Sequence, residues 1–170
     1  MSSTYVSKIV MIGDAEIGKT RLVRKAQGII TRKDDLFTTS KGSDEYSPYV
    51  PTIGVDVFCV EIDGKTFNVW DCAGQEKFEG LREGYYIGAS GAIVMARTPE
   101  SAKKWIKEFR KVRGNKDKPI EIMLENAGDI IGDISVFSKI ARRIEQKSNT
   151  FNLSDDEYDI KTHTWASQRK

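Results

Sequence analysis

Apolar residues recur along this chain in short runs, and the spacing within the runs alternates between that of strands and that of helices. Continuous or period-two apolar runs predict strands at residues 6–12, 55–62, 66–71, 91–96 and 119–124, with a last short strand at 158–160. Apolar positions three and four apart predict helices at residues 19–27, 80–87, 100–113 and 134–146. Strands that alternate with helices indicate an α/β fold with a largely parallel sheet.

Asp63-Gly64 separates the second and third predicted strands and predicts a tight hairpin turn. A hairpin makes its two strands antiparallel, so the predicted sheet is mixed. In sheets of this class, ligands bind beyond the carboxyl ends of the strands. Residues that directly follow a predicted strand are therefore the first candidates for a functional site.

Residues 28–51 break the pattern, because this segment is rich in Lys, Asp, Ser, Thr and Gly and has few apolar positions. This composition predicts a long, mobile connection. The length of the chain predicts that the connection lies inside one domain, which spans residues 5–170. Connections of this length are usually functional or disordered.

Residues 13–20, GDAEIGKT, follow the first strand, precede the first helix and match the phosphate-loop pattern G-x-x-x-x-G-K-[ST]. Gly13 and Gly18 permit backbone angles that turn N–H groups toward a phosphate, and the helix N-terminus adds its dipole. Lys19 is then placed to reach the β- and γ-phosphates and Thr20 to hold Mg²⁺. The alternative is a chance match in a glycine-containing loop. The other candidate nucleotide-binding residues of this loop are Asp14, Ala15, Glu16, Ile17 and Arg21.

The sequence Asp71-Cys72-Ala73-Gly74-Gln75 follows the third strand and forms a second candidate signal. Asp71 can hold Mg²⁺ through water, the Gly74 N–H can contact a γ-phosphate, and Gln75 can orient an attacking water. Thr52 closes the long polar connection, and its hydroxyl can complete the magnesium site when a γ-phosphate is bound, as in a loop-ordering switch. The alternative for the first of these segments is an ordinary strand-to-helix turn.

Composition narrows the function classes further. The chain is 39% hydrophobic and 31% charged with a net charge of +2, which is ordinary for a globular protein and too small to indicate nucleic-acid or membrane binding. Cys59 and Cys72 lie in strand-like runs, which predicts buried, reduced thiols, and His163 has no companion for a zinc site. Trp105 has the spacing of a core residue, and the basic face of its helix is typical of a solvated surface, with an acidic partner as the alternative.

These motifs resemble those of small GTPases of the Ras superfamily, most strongly the Ran branch and also the Rab branch. The likeness covers residues 5–163 and is strongest in PTIGVDV, in FNVWDCAGQEKFEGLREGYYIGASGAIVM and in KPIEIMLENAGD. It implies a six-stranded G domain with one antiparallel strand, which binds GTP and GDP with Mg²⁺ and hydrolyses GTP slowly. It implies Lys19 and Gln75 as catalytic residues, Thr20, Thr52 and Asp71 as metal ligands, and Gly74, Asn126, Asp129 and Thr162 as nucleotide contacts.

The chain departs from the family pattern at the base site. Asn126-Ala127-Gly128-Asp129 lacks the lysine of N-K-x-D, which we expect to cost about 1–3 kcal/mol of binding, while Asp129 keeps the preference for guanine. Lys161-Thr162-His163 replaces S-A-K, and the candidate substitute contact is the backbone of Thr162 or of His163. Of the aromatic residues Phe37, Tyr46 and Tyr49, Tyr46 is nearest to the spacing expected for the residue that covers the base.

Four further departures lie elsewhere. Ala15 replaces the usual Gly or Ser, which predicts slower hydrolysis, and Ala96-Arg97-Thr98 lacks the family's aspartate. The connection before Thr52 is about a dozen residues longer than in the family. The chain stops where the last helix of the family begins, so we expect that helix to be missing.

The resemblance implies a Ran-like switch in nucleocytoplasmic transport or trafficking, which we expect to be a monomer in the cytoplasm or nucleus. The small net charge predicts no nucleic-acid partner, and the lack of a prenylation cysteine in ASQRK predicts no membrane anchor in this chain. An exchange factor, an activating protein and transport-type effectors would bind residues 51–57 and 74–86. Two alternatives stay open. The first is a catalytically weak G domain that acts as a partner-binding decoy, and the second is relaxed base specificity.

Overall fold

A computed structural model describes residues 6–28, 52–74, 79–113, 119–124 and 134–149. Within these residues the strands are β1 (Ser7–Gly13), β2 (Val55–Ile62), β3 (Lys65–Cys72), β4 (Gly91–Ala96) and β5 (Ile120–Leu124). The helices are α1 (Lys19–Ala26), α2 (Glu79–Tyr86), α3 (Pro99–Arg113) and α4 (Ser135–Asn149). The sequence therefore predicted each of these elements to within a few residues. The predicted strand at 158–160 and most of the 28–51 connection lie outside the described residues.

The described strands form a five-stranded sheet in the order β2-β3-β1-β4-β5. Strand β1 is central and runs parallel to β3 and β4, and β4 runs parallel to β5. Strands β2 and β3 are antiparallel. Asp63 and Gly64 between them have φ of 50° and 77°, the left-handed values of a type I′ turn. The mixed α/β sheet and its hairpin are confirmed.

Two apolar cores lie on opposite faces of the sheet, because successive strand side chains point to opposite sides. Ile9 and Met11 of β1 join one core, which is completed mainly by α1 and α4. Val10 and Ile12 join the other, which is completed by residues of α2 and α3 that include Tyr86 and Phe109. The sheet is thus the middle of three layers.

The prediction that both cysteines are buried is wrong for Cys59. Cys72 is buried, but Cys59 is exposed. Strand β2 lies at the edge of the sheet, and its buried residues Val60 and Ile62 face the α1 and α4 side. Cys59 points to the opposite face, where its Sγ lies 3.5 Å from Asn68 Oδ1. An apolar run on an edge strand can hide an alternation of buried and exposed positions.

No helix in the described ranges is both long enough and apolar enough to cross a membrane.

Candidate functional site

The loop of residues 13–20 lies at the carboxyl end of β1, between β1 and α1. Gly13, Glu16 and Gly18 all have positive φ, at 142°, 58° and 93°. A Cβ at Gly13 would collide with the carbonyl of Met95 on β4, so this position requires glycine. The Asp14 N–H donates to the same Met95 carbonyl at 3.0 Å. The loop is therefore anchored at its start to the neighbouring strand.

The N-terminus of α1 carries no cap from a side chain. Its N-cap residue is Gly18, which has no side chain to accept a hydrogen bond, and no acidic residue occupies the first turn of the helix. The first N–H groups of a helix lack partners within the helix and lie at the positive end of its dipole. This end of α1 is suited to bind an anion such as a phosphate.

Lys19 begins α1 and is only 7% exposed. Its Nζ donates to the carbonyl oxygens of Gly13 at 3.1 Å and Asp14 at 2.7 Å, which holds the ammonium beneath the loop. Burial lowers the pKa of Lys19 to about 8, although the nearby Asp71 carboxylate opposes that shift. Because its partners are neutral carbonyls, the buried ammonium of Lys19 is available to bind an anion. A bound anion would favour the charged form of Lys19 and raise its pKa again.

Three oxygen-bearing side chains converge beside Lys19. Thr20 Oγ1 donates to Asp71 Oδ2, and the hydroxyls of Thr20 and Thr52 lie 3.0 Å apart. Because Thr20 uses its proton on Asp71, Thr52 is the donor in that second bond. Burial raises the pKa of Asp71, and the Thr20 hydroxyl and the Lys19 ammonium oppose the rise.

This oxygen cluster fits a small divalent cation. Asp71 is fully buried, and its Oδ1 has no hydrogen-bond partner among the described residues. Carboxylate and hydroxyl oxygens are the ligand types that Mg²⁺ accepts, usually with several waters. Within the described ranges no group of three or more His, Cys, Asp or Glu side chains is arranged so that it could hold a metal ion. A cation here would therefore rest on one carboxylate, two hydroxyls and ligands from elsewhere.

The segment after β3 lies directly against the loop. A Cβ added to Gly74 would lie 2.6 Å from the Gly13 oxygen, 2.6 Å from Lys19 Nζ and 2.8 Å from the Ala15 nitrogen. The preceding N–H, of Ala73, donates to the Gly54 carbonyl at 2.9 Å. This hydrogen bond ties the segment after β3 to the segment that carries Thr52. The close approach of Gly74 to the loop requires glycine at position 74.

The structure also shows a polar network that the sequence analysis missed. Asp14 Oδ1 accepts from Ser101 Oγ and, at 2.9 Å, from Trp105 Nε1, while Asp14 Oδ2 accepts from the Arg97 N–H at 2.9 Å. Arg97 also donates through Nη2 to the Ala15 carbonyl at 2.9 Å. Burial alone would raise the pKa of Asp14, but its donors outweigh burial and hold it below the ordinary value.

One clue in the sequence pointed toward this network. Trp105 is buried in the core as predicted, with 6% exposure, and a buried indole N–H needs an acceptor. The acceptor lies 91 residues away in the chain, so sequence spacing alone could not identify it.

The predicted site residues divide into two groups. The structure brings together the loop with Thr52, Asp71 and Gly74, although Ile17 is buried in the core and can offer only its backbone. The other predicted contacts lie outside the described residues, and these are Tyr46, Gln75, Asn126, Asp129 and Thr162.

A comparison with protein families gives a match over most of the chain. The family model described as "Ras of Complex, Roc, domain of DAPkinase" matches residues 8–129. The match covers well over half of the 170 residues and includes the loop, Thr52, Asp71 and Gly74.

Proposed function

This chain belongs to the Roc family of Ras-like GTP-binding domains, and on that premise we propose that it is a guanine-nucleotide switch that hydrolyses GTP slowly. The family supports GTP binding and hydrolysis in general terms. We propose in addition which residues carry these activities, which metal they use and what the protein does in the cell.

The observation that carries the proposal is that two separate segments of the chain converge on the loop, so that three segments meet at one place. Lys19 and Thr20 come from the loop and α1, Thr52 from the segment before β2, and Asp71 with Gly74 from the end of β3. A γ-phosphate bound at the loop would contact all three segments. Its loss on hydrolysis would release the contacts of Thr52 and Gly74, which is how a switch of this kind changes shape.

Ras-like GTPases generally use Mg²⁺, and we propose that Thr20, Thr52 and Asp71 hold it here. The unpartnered, buried Oδ1 of Asp71 supports that assignment. When bound, the ion would neutralise charge on the β- and γ-phosphate oxygens. Lys19 would bind the same phosphates from the loop side, and the Gly74 N–H would donate to the γ-phosphate.

For hydrolysis we propose that Gln75 orients the attacking water and that Lys19 stabilises the charge that develops on the phosphates. Ala15 stands where the family usually has Gly or Ser, and we propose that this added methyl group makes the intrinsic rate slow. Intrinsic rates of related switches are around 10⁻⁴ s⁻¹, and an activating protein raises them by up to about 10⁵-fold.

For base selection we propose Asn126 and Asp129. A carboxylate at position 129 can accept from the N1 and N2 donors of guanine, a pair that adenine lacks. Thr162 and Tyr46 are the proposed contacts that complete the base site.

We further propose a single domain over residues 5–170 and a Ran-like role in transport or trafficking, in the cytoplasm or nucleus, as a monomer. Exchange factors, activators and effectors would bind residues 51–57 and 74–86. Ile53 is 78% exposed and Val57 is 54% exposed, and apolar side chains so exposed support docking at the first of these segments.

The proposal is tested by titrating GDP, GTP and ADP against nucleotide-free protein with Mg²⁺. We expect both guanine nucleotides to bind at micromolar concentration or below (~8 kcal/mol) and ADP to bind at least about a hundredfold more weakly. If the decoy alternative holds, guanine nucleotides bind weakly and partner binding does not depend on GTP.

The catalytic part is tested separately by single-turnover hydrolysis in Gln75→Leu. We expect hydrolysis to be lost while GTP binding is retained, because the side chain acts on water and not on the nucleotide. Gln146→Leu, an exposed change on α4, is the matched control. Equal hydrolysis by wild-type protein and Gln75→Leu would remove Gln75 from the mechanism.

A further inference from the structure

An aspartate in a phosphate-binding loop raises an electrostatic difficulty, since like charges repel strongly at short distance in a partly buried site. Asp14 is the second residue of the loop, and its carboxylate is ionised because its donors hold its pKa low. Both of its oxygens are engaged by donors from the β4–α3 junction and from α3 itself. The hydrogen bonds hold the Asp14 carboxylate on the α3 side of the loop, and their donors stabilise its negative charge there.

The neighbouring residue is held in the same direction. Arg97 Nη2 donates to the Ala15 carbonyl at 2.9 Å. The peptide bonds of the described residues are trans, so the Ala15 carbonyl and the Glu16 N–H point in opposite directions. Fixing the carbonyl toward Arg97 therefore also fixes the direction of the Glu16 N–H in the loop.

Glu16 itself needs such support. Its φ of 58° lies in the left-handed region, which a residue with a side chain adopts only when its surroundings hold it there. Gly18, two residues further on, also has positive φ and is the N-cap of α1. The strained part of the loop thus begins directly after the two residues that Arg97, Ser101 and Trp105 anchor.

We propose that Asp14, Arg97, Ser101 and Trp105 form a positioning network that sets the loop in its phosphate-binding shape. The inference rests on the proposed function and extends it to helix α3, which contributes to nucleotide affinity without touching the nucleotide. It assigns Trp105, a core residue on one face of α3, a second role through its indole N–H.

Trp105→Phe tests the network with little change in packing, because it keeps an aromatic ring and removes the N–H donor. A hydrogen bond to a charged group is worth enough that its loss should raise the GDP dissociation constant by about tenfold. Trp70→Phe is the matched control, because Trp70 is a partly buried tryptophan that contacts Lys8 on another part of the sheet. It should leave the dissociation constant unchanged.

Arg97→Ala provides a second variant whose folding is not at risk, since Arg97 is exposed and its backbone N–H remains. We expect about a threefold to tenfold rise in the GDP dissociation constant. Arg97→Lys, which retains a cationic donor, should recover part of that loss. Combining Arg97→Ala with Trp105→Phe should give less than the product of the two effects, because both act on one loop.

Amide hydrogen exchange in the nucleotide-free protein separates positioning from general stability. In both variants the amides of residues 13–18 should exchange several-fold faster, while those of β3 and β4 keep their wild-type rates. A lower melting temperature with unchanged loop exchange and unchanged GDP affinity would overturn the proposal. If the wild-type protein binds no guanine nucleotide, the proposed function fails, and loop exchange alone decides the network: unchanged loop exchange overturns it.

Discussion

Two strand-to-helix junctions lie side by side at the carboxyl edge of this sheet, and they are built in opposite ways. At the β1–α1 junction, which we call the open junction, Gly18 is the N-cap of the helix, and the helix has no side-chain cap and no acidic residue in its first turn. At the β4–α3 junction, Pro99 begins the helix, Glu100 lies in its first turn, and Thr98 Oγ1 accepts from the Ser101 N–H at 3.1 Å. The N-terminus of this second helix is capped by a side chain of its own segment, and we call this place the capped junction.

The contrast shows how one topology yields both a site and its support. The open junction leaves the first helix N–H groups and a buried lysine available to bind an anion. At the capped junction, a side chain of the protein itself already accepts a hydrogen bond from the helix N-terminus. The capped junction then uses its remaining donors, on Arg97, Ser101 and Trp105, to hold the open one through Asp14. A missing cap beside a glycine loop therefore predicts an anion-binding site.

The largest expected effect comes from removing the buried cation of the open junction. Lys19→Ala should raise the GDP dissociation constant by about a hundredfold or more, because charge-assisted hydrogen bonds to phosphate are lost. The measurement is calorimetric titration with Mg²⁺. Lys103→Ala, an exposed lysine in α3 at the capped junction, is the control and should bind as wild type does. A Lys19→Ala protein that binds GDP within about threefold of wild type would contradict the account.

A smaller effect is expected where the end of β3 covers the open junction. Gly74→Ala would place a methyl group 2.6 Å from Lys19 Nζ and the Gly13 oxygen, so the segment must move away from the loop. We expect GTP hydrolysis to fall by about tenfold or more while GDP affinity changes little, because the proposed partner of the Gly74 N–H is the γ-phosphate, which GDP lacks. Single-turnover phosphate release measures it.

Gly84→Ala is the control for that change, since a Cβ at Gly84 in α2 meets nothing within 4 Å. It should leave hydrolysis unchanged and stabilise the fold by about 0.5–1 kcal/mol, because alanine favours a helix interior over glycine. Equal hydrolysis rates in Gly74→Ala and Gly84→Ala would show that the close approach of Gly74 to the loop does not affect hydrolysis.

The pH dependence of stability is the next test of the open junction. The pKa of Lys19 is lowered to about 8 in the fold from an ordinary 10.5, so between these values the unfolded chain binds the extra proton. The free energy of unfolding of the nucleotide-free protein should therefore rise with pH from about 8 toward 10.5, relative to Lys19→Met. Urea unfolding of both proteins at pH 7 and pH 9.5 measures this difference. A difference that is independent of pH would mean that Lys19 is not a desolvated ammonium.

The smallest expected effect lies at the capped junction. Thr98→Ala removes the cap of α3 and should lower the free energy of unfolding by about 1 kcal/mol. Because the cap serves the helix and not the ligand, the GDP dissociation constant should change by less than about threefold. Thr98→Ser keeps the hydroxyl and should restore stability. A large loss of GDP affinity in Thr98→Ala would mean that the two junctions do not differ as described.

The sequence was sufficient to predict the fold because each element carries its own local signal. Apolar spacing located the five described strands and four helices, and Asp63-Gly64 located the hairpin. The same reasoning failed for Cys59, because burial on an edge strand depends on which face a helix covers.

The site was predictable to the extent that its residues lie within motifs. The loop, Asp71 and Gly74 were identified from glycine spacing and from their position after strands, and the structure brings them together. The Asp14 network was not, because its partners lie 83 to 91 residues away and belong to no motif. The contacts of the base, at Asn126, Asp129 and Thr162, remain predictions.

The most direct test of the central claim is the nucleotide content of the purified protein. The protein would be denatured in acid, and the released nucleotide identified by chromatography and counted against the protein. We predict close to one guanine nucleotide for each chain, because the open junction and Asp129 together should retain GDP through purification. A protein that releases no nucleotide, and that binds neither GDP nor GTP below about millimolar concentration (~4 kcal/mol), would contradict the account.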